Sequence, residues 1–326
     1  MKMNKEFTIN SFISANSRPL SSLFYFVLIM SIFFTTSPEV FFSTKFHQAV
    51  LTVYPIIIFL VIPLVFVVTM GEIDLSFASN FAFASWIFAL LIKTFSIDPF
   101  LAFLLGILAG AFIGVLMGCL VVYGRISSLV ASLGALFLIR GFLFVVSDSK
   151  SITIIEIRNH WMYDLFVGKF FGFPMQFIWA GIFVIISYFL YHRHVFGAHI
   201  HHIGDNPESA AQMGINVDRT RIFCFMFCGI GAALAGMFST LVNFTWWPTQ
   251  GFGYLLLALA SVFVGGTPTW GGVGTVFGAV FGSGVIAYME TGIVAMGWSG
   301  LWRQFFNGLI IILALLGHRF HGSRIR

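Results

Sequence analysis

Apolar runs separated by brief polar breaks fill this chain almost from end to end. Ten runs stand out, at 20–35, 49–70, 75–92, 99–122, 128–147, 174–191, 221–243, 252–266, 273–290 and 301–317. A helix needs about 20 apolar residues to cross the hydrocarbon core of a bilayer, so the pattern predicts an all-α polytopic membrane protein with about ten transmembrane helices. The third and eighth runs are short or interrupted by glycine, and read as broken or re-entrant helices. Lys2 and Lys5 precede the first run as they would in a signal peptide. No clear small-residue cleavage site follows in "TTSPEVFFS", so this run is expected to be retained as the first helix.

Ten crossings place both termini on one side, and the basic residues choose it. With cytoplasmic termini, Lys2, Lys5, Arg18, Arg125, Arg193, Arg219, Arg221, Arg319, Arg324 and Arg326 face inward, against Lys45, Lys93, Lys150, Arg158 and Lys169 outward. That satisfies the positive-inside rule. The expected organisation is a cytoplasmic tail at 1–19, a transmembrane domain at 20–317 with a cytoplasmic segment at 193–220, and a cytoplasmic tail at 318–326.

Composition sharpens the class. Hydrophobic residues make up 59% of the chain and charged ones 9%, against about 25% charged in soluble domains. No polar stretch is long enough for a soluble domain, and the net charge of +5 comes with no basic cluster that could track nucleic acid. Cys119, Cys224 and Cys228 all lie in apolar runs and read as packing residues rather than as a disulfide or metal site.

Two runs carry glycines on a four-residue step: Gly106, Gly110, Gly114 and Gly118 in one, Gly274, Gly278 and Gly282 in the other. Such spacing makes a smooth ridge along a helix, on which a second backbone can approach closely. Helix packing is the favoured reading, with a role in solute passage as the alternative. The breaks "GEIDLS" and "GGTPTWGGVG" fall on the same expected side and hint at an internal echo.

The longest polar interval is "VFGAHIHHIGDNPESAAQMGINV". Asp205 or Asn206 can cap a helix, Pro207 suits its first position, Glu208 complements its positive end, and Gly214 can end it after Met213. Two turns do not hold together alone in water, so the helix needs something to rest on, its own protein or a partner. The small Ala210 and Ala211 would allow close contact, with Met213 as an adaptable anchor. His192, His194, His199, His201 and His202 lie nearby without the carboxylate or cysteine pattern of a metal site.

This interval resembles the cytoplasmic coupling segment of permease subunits in bacterial ATP-binding-cassette importers for ribose and related monosaccharides. "GEIDLSFASNFAFASWIFALL", "GRISSLVASLGALFLIRG" and "FVGGTPTWGGVGTVFGAVFG" are similar to three further stretches of that family, in the same order. The resemblance implies that Gly204, Asn206, Glu208, Ala210, Gly214 and Ile215 belong to a coupling helix docking into a cleft of the ATP-hydrolysing subunit. It further implies a second permease copy, a periplasmic sugar-binding protein and a bacterial inner-membrane location. Glu72 departs from the family, which usually has a second glycine there, and so do the histidines at 199, 201 and 202.

No "GxxxxGK[ST]" occurs, so any ATP is held by another polypeptide and the chain is not itself an enzyme. Asp74, Ser76, Ser79 and Asn80 are candidate pathway residues, with helix capping as their alternative reading. Arg140 and Glu290 are expected to fix the bundle through ion pairs, with substrate contact as the alternative, and Asn243, Gln304 and Asn307 are further polar candidates in the outer half. The 42 phenylalanines are put down to lipid and interhelical contact. An ion-driven secondary transporter would concentrate ionisable groups at mid-membrane, and a membrane enzyme would need a convergent catalytic constellation. Neither pattern stands out, while a permease for amino acids or nucleosides stays open.

Overall fold

A computed structural model describes residues 37–322, together with Val27, Met30, Ser31, Phe34 and Thr35. The first expected span, 20–35, and the tail at 1–19 therefore lie largely outside the described residues, as do residues 323–326.

The elements follow the hydrophobic pattern. After a short α1 (Pro38–Phe41) come α2 (Thr44–Thr69), α3 (Phe77–Lys93), α4 (Pro99–Gly124) and α5 (Ser128–Ser147). Next are β1 (Ile152–Thr153), a 3-10 turn (Ile155–Asn159), α6 (Trp161–Val167), β2 (Lys169–Phe170) and β3 (Phe173–Pro174). Then follow α7 (Met175–His192), α8 (Val195–Asp205), α9 (Pro207–Gln212), α10 (Val217–Asn243) and β4 (Thr245–Trp246). The chain closes with α11 (Tyr254–Val264), α12 (Val276–Ala295) and α13 (Trp302–Gly322). Among the described residues, six helices (α2, α4, α5, α7, α10 and α12) are long and apolar enough to cross a membrane, while α3, α11 and α13 offer shorter apolar stretches. At 11 residues, α11 is about 16 Å long, short of the roughly 30 Å hydrocarbon core.

Burial separates core helices from peripheral ones. From Pro55 to Thr69, α2 is buried on every side, as a helix apolar all round should be. It packs against α10, α12 and α7, and α10 in turn packs against α4 and α3. On α5 and α7 only a minority of side chains are buried, and Val145, Ile185 and Phe189 are among the exposed ones.

The first glycine ridge is an interface between α4 and α10. A Cβ at Gly110 would lie 2.8 Å from the Gly229 carbonyl oxygen, and one at Gly118 would lie 2.7 Å from the Ile222 Cα. Gly106 faces Met237, and Gly114 faces the Phe225 backbone. On the second ridge Gly278 and Gly282 meet α11 at Gly265 and Ser261. Gly274 departs from expectation. It precedes the first turn of α12 and lies instead beside Thr69 and Tyr191.

The two ends of the bundle differ. At one end β1 pairs antiparallel with β4, placing Ile152 opposite Trp246, and β2 pairs with β3. Lys93–Glu156 (2.5 Å), Lys150–Asp148 (2.7 Å) and His160–Asp98 (3.4 Å) are ion pairs there. The opposite end collects the α2–α3 break, the α4–α5 turn, α8 and α9, and the loop between α11 and α12.

Candidate functional site

The second of these ends holds the interval singled out from sequence. His194 caps α8 by accepting the Phe196 N–H at its Nδ1 (3.1 Å). Ile200 and Ile203 are buried on the inner face of α8, and Gly197 presses on the Tyr191 backbone. Sequence reasoning missed this helix because its composition is polar and histidine-rich. The signal was present in Phe196, Ile200 and Ile203, four and three residues apart.

Gly204 lies in the last turn of α8 rather than in the short helix that follows, a correction to the expected placement. A side chain there would overlap the Thr69 carbonyl oxygen and the Gly272 backbone. That carbonyl also accepts the Gly272 N–H at 2.7 Å. The Thr69 hydroxyl meets the Tyr191 hydroxyl at 2.7 Å, and His201 Nδ1 is 2.9 Å from the Gly272 carbonyl oxygen. Gly71, Gly271 and Gly272 all have φ between +74° and +84°, a conformation that glycine adopts without strain. Two chain breaks thus meet under α8: the one that follows the end of α2, and the loop before α12.

Asn206 then starts α9, its side-chain oxygen accepting the Ser209 N–H at 3.0 Å. Pro207 occupies the first turn with Glu208. Gly214, at φ +84°, turns the chain, and the Ile215 N–H reaches the Ala210 carbonyl at 3.1 Å. Ala210 is fully buried against the protein itself, while Glu208, Ala211, Gln212 and Met213 are exposed. Asn216 caps α10 by accepting the Arg219 N–H at 2.9 Å. Both helices are therefore locally closed, and α9 presents one free face.

The other sequence candidates are drawn into the bundle. Asp74 accepts the Ser76 N–H (2.8 Å) and hydroxyl (2.6 Å), capping the entry to α3. Ser79 donates to the Leu136 carbonyl at 2.7 Å and Asn80 to the Gly110 carbonyl at 2.9 Å. All four are buried and bond to protein. Glu72 instead lines a cleft of about 480 Å³ with Arg125, Ser127, Ser128 and Arg221. Its carboxylate lies 3.1 Å from Arg221 Nε in a contact that is electrostatic rather than a well-aligned hydrogen bond.

Arg140 pairs with no carboxylate among the described residues, contrary to expectation. Its guanidinium donates to the carbonyls of Pro248, Gln250 (2.8 Å) and Ala78 (2.9 Å). Asn243 donates within its own helix to Ser239. Gln250 was missed from the sequence: its side chain joins Ser239 and Thr240 at 3.1 Å each, bracing α10. In the sequence only the adjoining Gly251, which takes φ +89° in the structure, marks the turn that positions it. Cys224 and Cys228 are buried free thiols. Among the described residues no three His, Cys, Asp or Glu side chains converge as a metal site.

Comparison with known proteins supports the sequence resemblance. The ribose import permease protein of Bacillus subtilis (strain 168) is 31% identical over 252 residues, 77% of each chain. The D-allose transport system permease protein of Escherichia coli (strain K12) is 29% identical over 90% of this chain and 89% of its own length. The L-arabinose ABC transporter permease protein of Azospirillum brasilense is 28% identical over 92% of this chain and 87% of its own. No solved structure matches significantly. A family profile described as branched-chain amino acid transport system / permease component covers residues 47–315. The chain belongs to that family of transport-system permease components.

Proposed function

We propose that this chain is the membrane permease subunit of an ATP-driven importer for a simple sugar, held in the bacterial inner membrane. The sugar class is supported by its relatives, which are named for ribose, allose and arabinose. The observation that carries the mechanism is the seating of α8 on the Thr69 and Gly272 backbones, with the exposed face of α9 beyond it.

In this reading α9 docks into a separate ATP-binding subunit, which holds and hydrolyses the ATP. Movement of α9 is passed through α8 to the end of α2 and to the loop before α12, because close-packed backbones transmit displacement rather than absorb it. The chain itself supplies no catalytic group. The end bearing α9 faces the cytoplasm, as do both termini, and a periplasmic sugar-binding protein delivers solute at the other end. A second copy or a related permease completes the pathway. Asp74, Ser76, Ser79 and Asn80 hold the broken entry to α3 in shape beside that pathway.

Uptake of radiolabelled D-ribose, D-allose and L-arabinose into proteoliposomes carrying the whole importer is the test. The reading requires uptake of at least one sugar that depends on internal ATP. Uptake that persists without ATP and follows an imposed ion gradient would transfer the chain to the secondary transporters.

A further inference from the structure

A second cleft, of about 880 Å³, opens at the end of the bundle remote from α8 and α9, where Val53 of α2 lines it with α11, α12 and α13. Its size falls within the roughly 300–1,000 Å³ typical of small-molecule sites. The polar groups lining it are unusual for a position between apolar helices. Glu290, near the end of α12, has the Asn307 amide nitrogen as its hydrogen-bond partner at 3.3 Å. No ion pair engages it among the described residues, although Arg303 is near enough for its charge to act on it.

Asn307 is 3% exposed, and its side-chain oxygen has no partner among the described residues. Arg303 stands one turn before Asn307 on α13, with Gln304 beside it, and both line the cleft. Phe252, half exposed, lines the same cleft. A carboxylate can accept several hydrogen bonds and an amide oxygen two, so acceptors are in excess at the centre and donors stand at the rim. Leaving such groups unpaired between apolar helices is costly.

We infer that this cleft is a transit subsite for a monosaccharide, with sugar hydroxyls donating to Glu290 and Asn307 and accepting from Arg303 and Gln304. A sugar fits where a simple anion or cation does not. Each hydroxyl both donates and accepts, and the C–H face of the ring can rest against Phe252. This inference rests on the importer reading and gives the permease a direct contact with solute.

Saturation-transfer NMR tests it on the full-length chain in lipid nanodiscs, without ATP, using D-ribose, D-allose and L-arabinose as probes. A site that must release its solute binds weakly, so transfer to at least one sugar is expected with a dissociation constant on the order of 1 mM. Asn307→Leu should weaken it by on the order of 10-fold, the effect of one lost buried hydrogen bond. Gln304→Ala, at an exposed position that a folding defect would not explain, should weaken it measurably too. No transfer from any of the three sugars, or equal transfer in both variants and the native chain, overturns the subsite. ATP-driven uptake by the native importer would in that case still stand, whereas its absence would sink the importer reading itself.

Discussion

Gly204 and Thr69 meet backbone to backbone: the α-carbon that closes α8 rests against the carbonyl oxygen that closes α2. No other residue type fits there, because any Cβ would overlap that oxygen. Gly204→Val should therefore unseat α8, costing about 1–3 kcal/mol or more by overpacking. The expected result is ATP hydrolysis by the assembled importer that no longer drives sugar uptake. Paired hydrolysis and uptake assays on one proteoliposome preparation check this, and an unchanged ratio would contradict it.

Gly214 offers a different failure. A side chain there meets open space, but the backbone is left-handed at φ +84°. Gly214→Val should cost about 1–2 kcal/mol from backbone strain alone. Gly214→Asn should recover most of it, because asparagine tolerates that conformation. Thermal melting of the two variants separates strain from packing.

Glu208 lies exposed in the first turn of α9. Glu208→Lys should change stability by at most about 1 kcal/mol, the size of a helix-dipole effect. Sugar uptake should nevertheless fall well below the native level if α9 docks on an ATP-binding subunit as proposed, because the substitution reverses a charge on its exposed face. Uptake that matches the native chain would remove Glu208 from that face.

Along α4 the glycines can be ranked. Gly110→Leu and Gly114→Leu force α4 away from α10, whereas Gly134 and Gly141 on α5 have nothing within 4 Å of an added Cβ. The first two should lower the melting temperature and the yield of inserted protein, by about 1–3 kcal/mol each. Gly134→Leu and Gly141→Leu should behave as the native chain does in the same melt.

Glu156 lies between α5 and α7, where the hydrogen bond from Lys93 holds its carboxyl below the ordinary range. A depressed carboxyl stabilises the folded state above its unfolded-state value, and that contribution is lost as pH falls through the folded value. The pair is well exposed, so the effect should be small and should shrink in high salt. Melting of the native chain and Glu156→Gln from neutral to acid pH should converge at the acid end.

Legibility in the sequence followed the physics of each feature. Membrane runs were readable because about 20 apolar residues in a row have few other uses. The Asn206 cap, Pro207 and the Gly214 turn were readable because local backbone chemistry decides them. The contact of Gly204 with Thr69 was not, since the partners are 135 positions apart and neither side chain announces the meeting. Arg140 was misjudged for a related reason. A buried guanidinium suggests a carboxylate, yet carbonyls freed at the irregular segment around Pro248 can satisfy it equally. Orientation from charge rests on the tails. Among the described residues Arg125, Arg193, Arg219 and Arg221 lie at the α9 end, whereas Lys45, Lys93, Lys150, Arg158, Lys169 and Arg303 lie at the other.

The most direct test of the coupling account is a mild-detergent purification of the tagged chain from its own membranes, with co-purifying polypeptides identified by mass spectrometry. A variant with residues 204–215 replaced by a flexible linker is carried in parallel. The account predicts an ATP-binding subunit with the native chain and none with the variant. A chain that comes out alone, or a variant that keeps the subunit, would contradict it.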